Sequence, residues 1–157
     1  MQSSPARSFT IEALTSADLG QLRKLNEIFA EAFHERETYC AAPPRDDYVR
    51  ELLADRRTIV LVALVEADVV GGLVAYELRK FEQERSEIYI YDLAVAEGLR
   101  RRGIATALLE RLCQMAAERG ASAVFVQADY VDEPAIALYE KLGRREEVLH
   151  FDIRCDR

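Results

Sequence analysis

Two apolar runs, Thr58–Val65 and Val69–Leu78, stand on either side of the short step Glu66-Ala67-Asp68. Valine-rich runs of this length, separated by so few residues, read as the two strands of an antiparallel hairpin. Neither run approaches the roughly 18 uncharged apolar residues of a membrane span. A hairpin needs layers to cover it, and the flanking sequence offers helices.

Phe9–Ala13 alternates and suits a first strand. Thr15-Ser16-Ala17-Asp18 supplies cap chemistry ahead of Leu22, Leu25, Phe29 and Ala32/Phe33, which share one helical face. Ala41-Ala42-Pro43-Pro44 interrupts that pattern, because the residue before a proline disfavours helix. Asp46 or Asp47 is expected to cap a second helix running through Leu53. After the hairpin, the polar stretch Arg79–Arg85 leads into a strand over Glu87–Val95. Ile104, Leu108, Leu112 and Met115 then fall at helical spacing, with Gly120 as a stop. Ala123–Ala128 reads as a strand, Pro134 as the first turn of a helix reaching Leu142 and ended by Gly143, and Glu147–Ile153 as a final strand. The order is β-α-α-β-β-β-α-β-α-β, a three-layer α/β (α+β mixed) fold with a central mixed sheet flanked by helices. No repeat, low-complexity segment or linker divides residues 1–157, so one domain is expected.

Lys and Arg total 21 against 28 Asp and Glu, a formal charge of −7. That argues against nucleic acid as a partner and permits a cationic small molecule. The polar start Met1–Ser8 lacks the apolar core of a signal peptide. Cys40, Cys113 and Cys155 are an odd set without a CxxC pair. No disulfide framework or metal site is expected, and a reducing cytoplasm is the default setting.

Arg100-Arg101-Arg102-Gly103-Ile104-Ala105 lies between a strand and the strongly periodic helix. A glycine turn followed by unpaired helix amides, with three arginines beside it, favours a phosphate. A basic surface loop ahead of a helix is the competing reading. The loop is neither a P-loop nor a GxGxxG turn, since it holds a single glycine.

In context, Arg100-x-x-Gly103-x-Ala105 after Tyr91-Asp92-Leu93-Ala94-Val95 resembles the acyl-CoA signature of the GNAT N-acetyltransferase superfamily. Asp132-x-x-Ala135-x-x-Leu138-Tyr139-x-x-x-Gly143 resembles that superfamily's second block, with Asp132 in place of asparagine and Arg144 in place of an aromatic. More narrowly, Lys80-Phe81-Glu82-Gln83, Ser86–Val95, Val126–Tyr130 and Arg145–Ile153 resemble the type I aminoglycoside 3-N-acetyltransferases, which acetylate gentamicin and confer resistance to it. Thr38-Tyr39 and Asp47-Tyr48 fit the same pattern.

The resemblance implies an acetyl-CoA-dependent enzyme acting by direct transfer in a ternary complex, without metal or acyl-enzyme. Acetyl-CoA would be held by Leu93, Ala94, Val95, Arg100, Arg101, Arg102, Gly103, Ile104, Ala105, Thr106, Asp132, Ala135 and Tyr139. Asp92 would hold the acceptor amine and take its proton, directly or through water. A solvent-facing carboxylate at a strand end is the alternative. Tyr139 would protonate the leaving thiolate, unless it only packs. Tyr91, Asp92, Asp129, Tyr130, Glu133 and Glu146 are the candidate acceptor contacts, since an acidic wall attracts a polycation. For Glu133 the alternative is an acid complementing a helix dipole.

His34 and His150 carry no motif, and Cys113 falls off the apolar seam of its helix. An acetyltransferase for polyamines or other small amines, and a non-catalytic acyl-CoA-binding module, are the rival functions. Pairing through an exposed strand would make a homodimer, an expectation by fold analogy alone.

Overall fold

The computed structural model describes residues 8–155, so most of the polar start lies outside the described residues. Contacts divide the chain at Gln127/Ala128 into two compact units.

In the first unit the elements are β1 (Thr10–Ala13), α1 (Leu19–Phe33), α2 (Arg36–Cys40), α3 (Asp46–Ala54), β2 (Thr58–Val65), β3 (Asp68–Arg79), β4 (Ser86–Val95), a 3-10 turn (Glu97–Leu99), α4 (Ile104–Glu118) and β5 (Val124–Val126). One sheet runs in the order β1-β2-β3-β4-β5. Its first three pairings are antiparallel, and β4 pairs β5 in parallel. The expected hairpin is β2–β3, closed by the two-residue turn Glu66-Ala67 between the partners Val65 and Asp68.

Both faces of the hairpin are covered, which is why β2 is apolar almost throughout instead of alternating. Val60, Val62 and Leu64 of β2 pack with Leu22, Leu25 and Phe29 of α1 and with Val49 and Leu53 of α3. Leu61, Leu73 and Ile88 point the other way and are fully buried, on the side where α4 lays down Ile104, Leu108 and Leu112. At Gly72 a Cβ would stand 2.5 Å from the carbonyl oxygen of Leu61 and 2.8 Å from Leu25 Cδ1. Glycine there lets α1 sit close on β3.

The caps differ from the reading of the sequence. Asp18 precedes α1, but its carboxylate accepts from the Thr15 N–H and hydroxyl, not from the helix. Neither Asp46 nor Asp47 caps α3; Arg45 occupies that position, and both acids lie in the first turn, where the helix dipole favours them. The short helix α2 is an addition the apolar periodicity did not signal.

The second unit holds α5 (Glu133–Glu140), which ends before Leu142. Residues 144–155 form no strand. The alternation over Glu147–Ile153 therefore goes unpaired in the described chain, and Val148, Leu149, Phe151 and Ile153 are exposed.

Candidate active site

The site in the first unit is made by a break in register. Val74 of β3 pairs with Asp92, but the next residue, Ala75, pairs with Ile90. Tyr91 is the extra residue, a β-bulge. Val74 packs toward α1 and α3, so its partner Asp92 faces that side too. The Tyr91 ring packs against Tyr76 at 6.1 Å and Tyr89 at 5.8 Å. Two consecutive residues of β4 thus serve one face, which a regular strand forbids. Tyr89 stacks on Phe125 at 4.8 Å and donates from its hydroxyl to Gln127 Oε1 at 2.9 Å. The result is an aromatic shelf of Tyr76, Tyr89, Tyr91 and Phe125 beside one carboxylate.

That carboxylate has a partner the sequence motif did not single out. Tyr39 Oη donates to Asp92 Oδ1 at 2.8 Å. The Tyr39 ring lies against Phe29 at 5.7 Å and Phe33 at 5.9 Å. Burial raises the Asp92 pKa; the Tyr39 hydrogen bond pulls it back and the Glu35 charge adds to the rise, leaving Asp92 above the usual carboxylate range. The Tyr39 phenol is driven well up, first by burial and then by Asp92. Tyr76 is raised by burial and by the same carboxylate. These phenols therefore remain protonated donors at neutral pH.

From the bulge onward, β4 keeps β3 as a partner but no longer pairs with β5. The β4–β5 pairing ends at Ile90↔Val126, whereas β3 continues to pair through Gly71↔Val95. Backbone groups of Leu93–Val95 directed away from β3 have no strand partner among the described residues, and unpaired amides seek an acceptor. The chain then turns through Glu97–Leu99, and Arg100 Nε donates to the Val95 carbonyl at 3.0 Å. Arg101 has φ 63° and Gly103 φ 80°. Gly103 precedes α4 without a side-chain cap. The first bond back to it is Ala107 N–H to Gly103 O at 3.0 Å, so the amides of Ile104, Ala105 and Thr106 have no intrahelical acceptor. Buried Ile104 anchors the helix start, while Arg101, Arg102 and Gly103 are exposed. Open amides, a positive dipole end and exposed guanidinium groups suit a phosphate-bearing cosubstrate.

In the second unit, Asp132 accepts from Ala135 N–H at 3.2 Å and so caps α5, while Glu133 lies in its first turn. Asp129 is exposed and its carbonyl accepts from Asp132 N–H. Tyr130 is exposed, with the Arg145 guanidinium 5.8 Å above its ring. Glu146 is bound to Arg144 at 2.9 Å on the surface. Tyr139 is pushed up to about 12, by burial and then by the Asp132 charge.

Of the candidate residues, the first unit brings together Asp92 and Tyr91, and sets Arg100–Gly103 as a turn leading directly into Ile104, Ala105 and Thr106 at the start of α4. The second brings together Asp129–Glu133, Ala135 and Tyr139 on and around α5. Tyr39, Tyr76 and Phe125 join the site although no motif pointed to their roles. Thr38-Tyr39 fits the family pattern in sequence, but that fit does not say what Tyr39 touches.

Among the described residues no group of three His, Cys, Asp or Glu is placed to hold a metal, and no helix is long and apolar enough to cross a membrane. Residues 22–143 match the Acetyltransferase (GNAT) family. The chain is similar to an aminoglycoside acetyltransferase from an uncultured soil metagenomic sample, with 56% identity, a TM-score of 0.93, and coverage of 95% of this chain and 99% of that one. A second aminoglycoside acetyltransferase of soil metagenomic origin, solved with sisomicin, is 33% identical with a TM-score of 0.87 over 94% of this chain and 97% of that one. An N-alpha-acetyltransferase of Saccharolobus solfataricus is 29% identical over 87% of this chain and 80% of that protein.

Proposed function

The chain belongs to the GNAT acetyltransferase family, and from that premise we propose that it transfers the acetyl group of acetyl-CoA to the 3-amino group of an aminoglycoside such as gentamicin. The observation that carries the acceptor class is the 56% identity, over 95% of the chain, to an aminoglycoside acetyltransferase. The shelf of tyrosines beside Asp92 supports it, since sugar rings lie well on aromatic faces while a carboxylate attracts their ammonium groups. The three cysteines are free thiols, which suits the cytoplasm we assign to the enzyme. The exposed apolar alternation at Leu149, Phe151 and Ile153 suits strand pairing in a homodimer.

The mechanism follows from which groups can hold protons and charge. The acceptor amine is protonated in water and must lose that proton to attack. Asp92, raised by burial, is a better proton acceptor than an exposed aspartate and holds the amine by charge. As the amine attacks the thioester carbonyl, negative charge develops on its oxygen. Among Leu93–Val95, the N–H groups directed away from β3 are assigned to that oxyanion. Arg100–Arg102 and the first amides of α4 are assigned to the pyrophosphate of acetyl-CoA, which supplies the activated acetyl group. Tyr139, held protonated by burial, is the group assigned to return a proton to the departing thiolate. Direct attack needs both substrates bound at once, and positioning them supplies much of the rate.

The test is thiol release from acetyl-CoA with gentamicin, spermidine and a lysine peptide, followed by NMR of the acetylated product. Rapid release with gentamicin alone and acetylation at the 3-amine is the expected result. Faster release with spermidine would move the enzyme to the polyamines, and no release with any amine would leave an acyl-CoA-binding module.

A further inference from the structure

We propose that Tyr39 is a positioning residue for acetyl transfer: its phenol fixes the Asp92 carboxylate so that Oδ2 is left to receive the acceptor amine. The inference rests on the acceptor role of Asp92 given above and adds a second residue to it.

An aspartate side chain turns about its two single bonds, and a hydrogen bond to one carboxylate oxygen fixes which oxygen is left for a ligand. Tyr39 makes that bond. Its hydroxyl lies 2.8 Å from Oδ1 across 53 residues of sequence, the one side-chain hydrogen bond to this carboxylate among the described residues. Oδ1 is thereby engaged, and Oδ2 accepts no side-chain hydrogen bond among the described residues, which leaves its lone pairs for an ammonium N–H. The ring cannot swing away, because Phe29 and Phe33 hold it. Phe29 is itself fully buried. The segment carrying Tyr39 is set by the turn at His34, φ 55°, and by the bonds Glu35 N–H to Ala30 O and Tyr39 N–H to Glu35 O. Packing on those rings asks only for phenylalanine. The hydroxyl is spent wholly on Asp92.

The polar and charged groups facing Asp92 are few: Glu35 from the turn before α2, Tyr39 from α2, Tyr76 from β3, and Tyr89 and Tyr91 from β4. Tyr39 alone both donates to the carboxylate and stabilises its charged form. Removing the hydroxyl therefore raises the Asp92 pKa and frees its rotamer together.

The experiment compares the full chain with Tyr39→Phe, Asp92→Asn and the double variant, using acetyl-CoA and gentamicin. Tyr39→Phe is expected to lower kcat/KM for gentamicin about tenfold or more at neutral pH, the range for a hydrogen bond to a charged group. The acetyl-CoA KM should hold, and the acid limb of the pH profile should move to higher pH. On the Asp92→Asn background the same change should do nothing further. A wild-type profile for Tyr39→Phe beside an impaired Asp92→Asn overturns the positioning role alone. An unimpaired Asp92→Asn removes the acceptor role of Asp92 and the proposal with it. Should Tyr39→Phe fail to fold, 3-fluorotyrosine at position 39 keeps the ring and strengthens the donor. Its carboxyl-carbon NMR titration of Asp92 should move down in pH, and an unmoved titration overturns the proposal.

Discussion

The rings of Tyr89 and Phe125 lie parallel, 4.8 Å apart with 5° between their planes. They are register partners across the β4–β5 pairing, one pair before it ends at Ile90↔Val126. The stack lies beside the point of divergence, beyond which the backbone groups of Leu93–Val95 directed away from β3 have no strand partner among the described residues. Phe125→Ala is expected to lose about 0.5–1.5 kcal/mol for the aromatic pair beyond its buried area. Because the shelf is assigned to the acceptor, the gentamicin KM should rise several-fold while the acetyl-CoA KM holds. Denaturant unfolding and initial rates with each substrate varied check both halves.

The role proposed for Asp92 carries an expected cost in stability. Its carboxyl lies above the ordinary aspartate range in the fold, chiefly through burial, so ionising it costs the folded state more than the unfolded chain. That cost is absent in strong acid, where both states are protonated. It grows as pH rises through the unfolded value and is complete above the folded one. Asp92→Asn is therefore expected to raise Tm at neutral pH, with the gain vanishing in acid. The same change should lower kcat by on the order of 10²–10⁴, the worth of a positioned base. Calorimetric scans across pH and a pH–rate profile test the two claims. An intact kcat with a raised gentamicin KM would make Asp92 an anchor only.

The β2–β3 turn is built from residues poorly suited to it. Glu66 has φ 51° and Ala67 φ 69°, the left-handed pair that two-residue hairpins take with Asn-Gly. Replacing Glu66-Ala67 by Asn-Gly should stabilise the protein by about 1 kcal/mol, the scale of relieving left-handed strain. The turn lies outside the site, so kcat and both KM values should not change. Equilibrium unfolding in urea gives the first number and steady-state rates the rest.

What the sequence shows and what it hides divide along the range of the forces involved. The hairpin, α4 and the Gly103 turn are local, and period, turn chemistry and one glycine announce them. The Tyr91 bulge is a mismatch between two strands, and neither strand's residues carry its mark. Tyr39 meets Asp92 only because α1, the His34 turn and β4 are all in place. The alternation of Glu147–Ile153 shows which side chains would share a face; it cannot say whether a strand is there to pair with. Asp132 shows the opposite limit. Its cap on α5 is local and readable, yet the same residue stands in the motif position where the family's asparagine belongs.

Gly103 tests the loop. At φ 80° a branched side chain is strained by roughly 1–2 kcal/mol, although nothing lies within 4 Å of where its Cβ would stand. Gly103→Val is thus expected to distort the turn without a clash in the core, and to weaken acetyl-CoA binding by about tenfold. Cys113→Ala, an exposed position on α4, should bind as the wild type does. Isothermal calorimetry on the two folded variants decides; equal affinities would detach the loop from the cosubstrate.

Glu77 anchors the strands at the end of β4 away from Asp92, and its charge makes that anchor sensitive to acid. Its carboxylate accepts from the Ser86 hydroxyl at 2.7 Å and from the Arg119 guanidinium at 2.7 Å, joining β3, the start of β4 and the residue that follows α4. Arg119 also donates to the Arg56 carbonyl just before β2. Burial pushes the Glu77 pKa up, but the Ser86 and Arg119 bonds outweigh it and hold the group below the usual glutamate range. A depressed carboxyl stabilises the fold above its unfolded value, and that contribution is lost as pH falls through the folded one. The loss therefore begins near the ordinary glutamate value of about 4.3 and proceeds downward. Glu77→Gln keeps the shape but leaves Arg119 without its counter-charge. With both side chains only 16% and 20% exposed, a cost of about 1.5–3 kcal/mol is expected at neutral pH, as for hydrogen bonds to charged groups. Urea unfolding of both proteins at a series of pH values should show the two curves converging in acid. A gap that stayed constant to the lowest pH would mean that the glutamate acts through shape and not through charge.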